Sequence, residues 1–242
     1  MKQLHMILQG KGGVGKSLIA ALLAQHFEKR DLAPICIDTD PVNATFAGYA
    51  ALNVNRLNII QGQEVDQRAF DTLFSQILNS DDESIFVVDN GATNFLPICA
   101  WMVENNAIEF LQNNDVEVVL HSVLTGGQSM IDTLIGLDSL FQHFTNTPIV
   151  VWLNEYFGKT ENDQGKSFEE GKLFKANSNA IRALITIPMR RKETFGFDLN
   201  SILRKKITFK EAHADETINV FARQRLKTIW DEIDQQISAA NF

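Results

Sequence analysis

Apolar positions along the chain follow two alternating periods. Residues 4–8 form a short apolar run that ends in a Gly-rich turn, and the stretch behind it, residues 16–30, sets Ile19, Leu22, Leu23 and Phe27 on roughly one face. That spacing predicts strand, turn, helix. Residues 34–38 suit a buried strand, and Phe70, Leu73, Phe74, Ile77 and Leu78 at helical spacing precede a second such strand at 84–89. Both runs contain or end in aspartate. Further strands are predicted at 117–124, 149–153 and 184–187, with helical patterns at 131–141 and 168–174 between them. Strands alternating with helices predict a three-layer α/β/α sandwich on a mostly parallel sheet, read here as one domain over residues 1–242. In such sheets ligands bind beyond the carboxyl ends of the strands.

Two segments depart from this rhythm. Residues 159–179 are rich in Gly, Asn, Ser and charge, and are expected to form a mobile excursion. The last helix, over 215–238, carries Ile218, Phe221, Leu226, Ile229, Ile233 and Ile237 on one stripe for core packing, with Asp231, Glu232 and Asp234 on its other side. A membrane-seeking helix would be basic there.

Composition narrows the function classes. Apolar residues make up 45% of the 242 and charged ones 21%, enough apolar material for a core and no case for disorder. With 22 basic and 30 acidic residues the formal charge is −8, which argues against a dedicated nucleic-acid or anionic-membrane binder. Arg190-Arg191-Lys192, Arg204-Lys205-Lys206 and Arg223/Arg225/Lys227 keep a local basic patch open. Cys36 and Cys99 cannot supply a disulfide framework or four zinc thiolates. The opening apolar run is too short for a signal-peptide core, and no stretch approaches the ~18 apolar residues of a membrane span. A cytoplasmic, soluble protein in a reducing compartment is expected.

Gly10-Lys11-Gly12-Gly13-Val14-Gly15-Lys16-Ser17 satisfies the phosphate-loop pattern between a predicted strand and a predicted helix, with Leu18 following inside the helix. The glycines permit a curl whose N–H groups converge on phosphate oxygens, and the helix N-terminus adds its positive end. Lys16 is expected to reach the β- and γ-phosphates, and Ser17 to offer an oxygen to Mg²⁺. Gly165-Lys166-Ser167 copies only the tail of the motif, with Thr160 where the leading glycine belongs and no strand before it. The early Lys11 resembles the deviant Walker A pattern of the ParA and MinD superfamily of ATPases, as does the order of elements. That resemblance implies an ATP- and Mg²⁺-dependent sandwich homodimer in which Lys11 reaches the partner copy's phosphates.

Carboxylates at the strand ends fit the same resemblance. It assigns Asp40 of Asp38-Thr39-Asp40-Pro41 to the attacking water, Asp38 to support beside the metal, and Asp89 to metal binding through water. Many relatives continue with proline soon after this last aspartate, whereas this chain reads Asn90-Gly91-Ala92-Thr93. The resemblance also implies that Asn154 reads adenine and that Pro188 begins the loop covering the base.

A narrower similarity lies in Asp40-Pro41-Val42-Asn43-Ala44-Thr45-Phe46, Thr125-Gly126-Gly127-Gln128, Val151-Trp152-Leu153-Asn154 and Gly165-Lys166-Ser167-Phe168-Glu169. Together these resemble the TraL proteins of plasmid conjugative-transfer operons. The resemblance implies a nucleotide-binding accessory of a type IV secretion system, with a protein of the conjugation machinery as partner. Two other readings stand beside it: a DNA-dependent positioning ATPase using the basic clusters, and a small-molecule ligase or kinase with a second pocket beside the γ-phosphate.

Overall fold

A computed structural model describes residues 1–61, 64–162 and 164–242. In chain order its elements are β1 (Lys2–Ile7), α1 (Lys16–Glu28), β2 (Ile35–Asp38), β3 (Asn55–Arg56), β4 (Ile60–Gln61), β5 (Glu64–Val65), α2 (Arg68–Leu78) and β6 (Ile85–Asp89). There follow α3 (Phe95–Glu104), α4 (Ala107–Gln112), β7 (Val116–Thr125), α5 (Met130–His143), β8 (Ile149–Asn154), α6 (Lys172–Asn177), β9 (Ile181–Ile187), α7 (Phe197–Lys205), α8 (Phe209–Ala214) and α9 (Val220–Ala239). Seven strands form one sheet in the order β3-β2-β6-β1-β7-β8-β9, every neighbouring pair parallel, while β4 and β5 pair antiparallel outside it.

The two faces of the sheet follow from the period of two along each strand. On β1, Leu4 and Met6 point to one core and Ile7 to the other; on β8, Ile149, Val151 and Leu153 oppose Val150 and Trp152. The first face is covered by α2, α3, α4 and α5 through Phe70, Leu73, Ile98, Leu111, Leu137 and Leu140. The second is covered by α1, α7, α8 and α9 through Ile19, Leu23, Leu199, Phe209, Leu226 and Ile233. This is the predicted three-layer arrangement. It lines up the carboxyl ends of β2, β6, β1, β7 and β8 along one edge of the sheet.

Several expectations are corrected. Strand β9 begins at Ile181, ahead of the predicted 184, because its first residues are half-exposed and Arg182 breaks the apolar run. The 159–179 excursion is not all loop: Glu161 bridges Ser167, and α6 occupies Lys172–Asn177. The last helix starts at Val220, where the Asn219 side chain accepts the Phe221 amide at 2.9 Å. Phe221 is 71% exposed, since five residues before Leu226 it falls on the far side of a 3.6-residue helix. Asp234 is buried, not solvent-facing: it accepts from His26 of α1 and from Lys29 and Arg30 just beyond that helix at 2.7, 2.8 and 3.0 Å. Among the described residues no helix is long and apolar enough to cross a membrane.

Candidate functional site

Between β1 and α1 the glycine loop adopts backbone that side chains resist: φ is +74° at Gly13 and +106° at Gly15. A Cβ on Gly15 would also stand 2.8 Å from the Asn154 amide nitrogen. Asn154, the last residue of β8, donates that nitrogen to the Val14 carbonyl at 2.9 Å and accepts the Tyr156 amide at 3.1 Å. The loop is thereby tied to the end of β8. Among the described residues no side chain caps α1, which leaves its first amides without a side-chain acceptor. The Lys16 ammonium, buried, arcs back to the Lys11 carbonyl at 3.0 Å. Burial pulls its pKa down, and the nearby Asp89 and Asp40 carboxylates pull it up. Lys11 extends outward to Asp132 of α5 at 2.7 Å, and Gly10 packs against the Phe95 ring at the start of α3.

Parallel pairing places Asp38 and Asp89 opposite one another on β2 and β6. Their surroundings differ. Asp38 accepts the backbone amides of Asp40 and Ala47, both at 2.9 Å, and so shapes the loop that carries Asp40. Asp89 is 1% exposed, and among the described residues neither carboxylate oxygen has a hydrogen-bond partner. Burial pushes its carboxyl up to about 7, against the attraction of the Ser17 hydroxyl, with Asp38 and Asp40 adding to the rise and Lys16 opposing it. An orphaned buried carboxylate beside a hydroxyl and an ammonium fits a hard divalent cation. Among the described residues no three His, Cys, Asp or Glu side chains could hold a metal ion alone. Any cation here draws the rest of its oxygens from water and ligand, as Mg²⁺ prefers.

Asp40 accepts the Val42 and Asn43 amides at 2.9 and 3.0 Å and lies against Gly91, where an added Cβ would meet its carboxylate carbon at 2.9 Å. The segment following Asp89 is thus fitted to Asp40 by a missing side chain. A buried polar set joins the two loops: Thr39 donates to Asn90 at 3.0 Å and to the Asp89 carbonyl at 3.1 Å, and Asn94 donates to the Thr39 carbonyl at 2.7 Å.

The glycine loop, Lys16, Ser17 and Asp40 border a cavity of about 490 Å³. Gly12, Gly13, Gly15, Lys16, Ser17 and Asp40 are among its lining, as are the apolar Leu18, Ile187, Leu199 and Leu203, the Tyr49 ring and Asn154. Asp38, Asp89, Val14 and Lys11 lie outside the lining, and Pro188 stands one residue beyond it, after Ile187.

Residues 5–220 match the family described as CobQ/CobB/MinD/ParA nucleotide binding domain. Over 241 residues, 99% of each chain, the sequence is 46% identical to Protein TraL of Escherichia coli, and it is 44% identical over the same span to a second Escherichia coli Protein TraL. The chain is a TraL-like member of this nucleotide-binding family. Its fold is shared with MinD in the MinC:MinD cell division protein complex of Aquifex aeolicus, at a TM-score of 0.57 and 15% identity over 98% of this chain and 96% of that one. MinD of Aquifex aeolicus alone gives 0.53 and 16% identity over 98% and 97%.

Within the family frame, the structure adds groups that spacing along the chain does not reveal. Gln9, buried where β1 enters the loop, donates to the Val123 and Thr133 carbonyls at 3.0 Å and so bolts the loop entrance to β7 and α5. Thr39, Asn90, Asn94 and Asp132 likewise find partners far away in sequence. For Thr39 and Asn90 the only signal was a polar residue next to an apolar strand end, and Asn94 and Asp132 lacked even that. The basic clusters are committed in part: Arg190 pairs with Glu232, Arg225 with Asp198 and Lys227 with Asp231, while Lys206 lies over the Tyr49 ring.

Proposed function

We propose that this TraL-like chain is an ATP-binding, slowly hydrolysing switch of a plasmid conjugative-transfer system, read by a protein of that machinery in its ATP-bound state. The observation that carries the reading is the convergence of Lys16, Ser17, Asp40 and the orphaned Asp89 around the left-handed glycine loop. Amides of residues 12–15 would cradle the phosphates, and Lys16 would exchange the Lys11 carbonyl for phosphate oxygens. Ser17 and Asp89 would hold Mg²⁺, which when bound neutralises charge building between the β- and γ-phosphates. Asp40, set against Gly91, would orient the attacking water, with Asp38 as a positioning residue behind it.

Lys11 belongs to a second stage. Its ammonium is engaged with Asp132 of its own chain; the resemblance to ParA and MinD supports a trans role in a homodimer, for which it must leave that pair. Both partners are about half exposed, so the contact holds Lys11 by about 1 kcal/mol or less and does not prevent its transfer. Hydrolysis then resets the switch.

Steady-state hydrolysis and light-scattering mass test this together, on wild type, Lys16→Ala, Lys11→Ala and Asp40→Ala. Wild type is expected to turn over ATP slowly and to double in mass with Mg²⁺–ATP. Asp40→Ala should keep the doubled mass longer, Lys11→Ala should stay a monomer, and Lys16→Ala should lose turnover. Full activity in Lys16→Ala sinks the ATPase reading, and a permanent monomer sinks the dimer.

A further inference from the structure

The peptide unit that joins Thr39 to Asp40 is planar, so its two polar ends together fix its orientation. Its N–H, on Asp40, goes to the Asp38 carboxylate at 2.9 Å. Its carbonyl, on Thr39, accepts the Asn94 side-chain amide at 2.7 Å. The first anchor comes from the end of β2 itself, and the second from the loop that follows β6. Asn94 is fully buried, and its side-chain oxygen takes a long 3.4 Å contact from the Thr93 hydroxyl, so the short bond to Thr39 is its principal engagement. The Asn94 backbone amide closes back on the Gly91 carbonyl at 3.1 Å. One tight turn therefore meets Asp40 twice: Gly91 lies against its carboxylate, and Asn94 holds the peptide that carries it.

We propose that Asn94 is a positioning residue for Asp40: through the Thr39 carbonyl it aims the carboxylate that orients the attacking water, and it serves turnover rather than nucleotide binding. The proposal rests on the hydrolysis reading above. With the carbonyl released, the peptide is pinned at its N–H end alone and can tilt about that bond. Tilting carries Asp40 away from Gly91. A displacement of about 1 Å in a group that orients a reactant costs up to about a hundredfold in rate. Asn94 itself lies outside the cavity lining, whereas its neighbour Thr93 belongs to it, so removing the Asn94 amide takes no contact from a ligand in the cavity. Its effect on chemistry must pass through Asp40.

Single-turnover hydrolysis and calorimetric titration of Mg²⁺–ATP test this on wild type, Asn94→Ala, Asp40→Ala and the double variant. Asn94→Ala is expected to bind ATP within about threefold of wild type and to hydrolyse it at least about tenfold more slowly. A group that acts through Asp40 has nothing left to act on once that carboxylate is gone, so the double variant should be no slower than Asp40→Ala alone. Asn94→Leu, which fills much the same space without an amide, should reproduce the split, and it carries the test if the smaller side chain unsettles the fold. A merely structural role would instead weaken binding and turnover together, and would slow the double variant by the same factor as the single one. That pattern, or full turnover in Asn94→Ala beside a slow Asp40→Ala, overturns the assignment and leaves the nucleotide site standing. A wild type that neither binds nor hydrolyses ATP, or an Asp40→Ala as fast as wild type, overturns the hydrolysis reading and this assignment with it.

Discussion

Asp89 sits under two opposed demands. Its carboxyl is buried and, among the described residues, unpartnered, and burial first, then neighbouring Asp38 and Asp40, lift it from the ordinary 3.8 to about 7. An acid whose folded pKa lies above its unfolded value retains a proton that unfolding releases, so its contribution to stability falls as pH rises from about 4 to about 7. Asp89→Asn removes that penalty. Free of ligand at pH 8, the variant is expected to be more stable than wild type by about 1–3 kcal/mol, a difference that shrinks toward pH 4. Mg²⁺ plus ATP should then raise the melting temperature of wild type and leave the variant unmoved. Thermal melts across pH 4–8 check both signs, and a variant that melts below wild type at pH 8 refutes the account. Such a residue was legible in sequence as an aspartate closing an apolar strand. What the sequence lacked was its isolation, because Thr39, Asn90 and Asn94 turn their polar atoms to one another and to backbone, leaving the Asp89 oxygens alone.

Elements were legible where one period ran unbroken. The glycine loop, α1, β2, β6 and β8 are each set by a local pattern, and their parallel register brings Asp38, Asp89 and Asn154 to one edge. Helix α3 was legible around Cys99 but not in its bounds, because Phe95–Glu104 is apolar nearly throughout and a short apolar run carries little period to mark where a helix starts and stops. The α9 stripe was legible at Leu226, Ile229, Ile233 and Ile237 but not its flank, where Asp234 meets α1. Burial works against ionisation of Asp234, yet hydrogen bonds from Lys29, Arg30 and His26 outweigh it and hold the carboxyl below the usual range. Its contribution is therefore present above the ordinary carboxylate pKa and lost as pH falls through that range. Asp234→Ala leaves His26 buried without its partner, and is expected to cost about 2 kcal/mol at pH 7. Urea midpoints at unchanged slope measure it; a cost that persists undiminished at pH 3 would assign the effect to packing instead.

Charge decides the whole-molecule question of whether the protein tracks along nucleic acid. The chain carries a net −8, and in its last third Arg190, Arg225 and Lys227 are already paired with carboxylates. Arg191, Lys192, Arg204 and Lys205 remain exposed on α7 and the turn before it, with no ion pair among the described residues. Four cations releasing counterions from duplex DNA give a slope of log affinity on log salt no steeper than about −4, and set against a negative molecule they leave little binding at ~150 mM salt. Gel shifts on random duplex should therefore show a weak complex at low salt that fades by moderate salt, equally with and without Mg²⁺–ATP. The switch reading requires this indifference, because its ATP state is addressed to a protein. A complex that forms only with ATP and survives moderate salt would mean that the four cations are gathered across two copies onto one duplex, and would make positioning on DNA the function of the dimer.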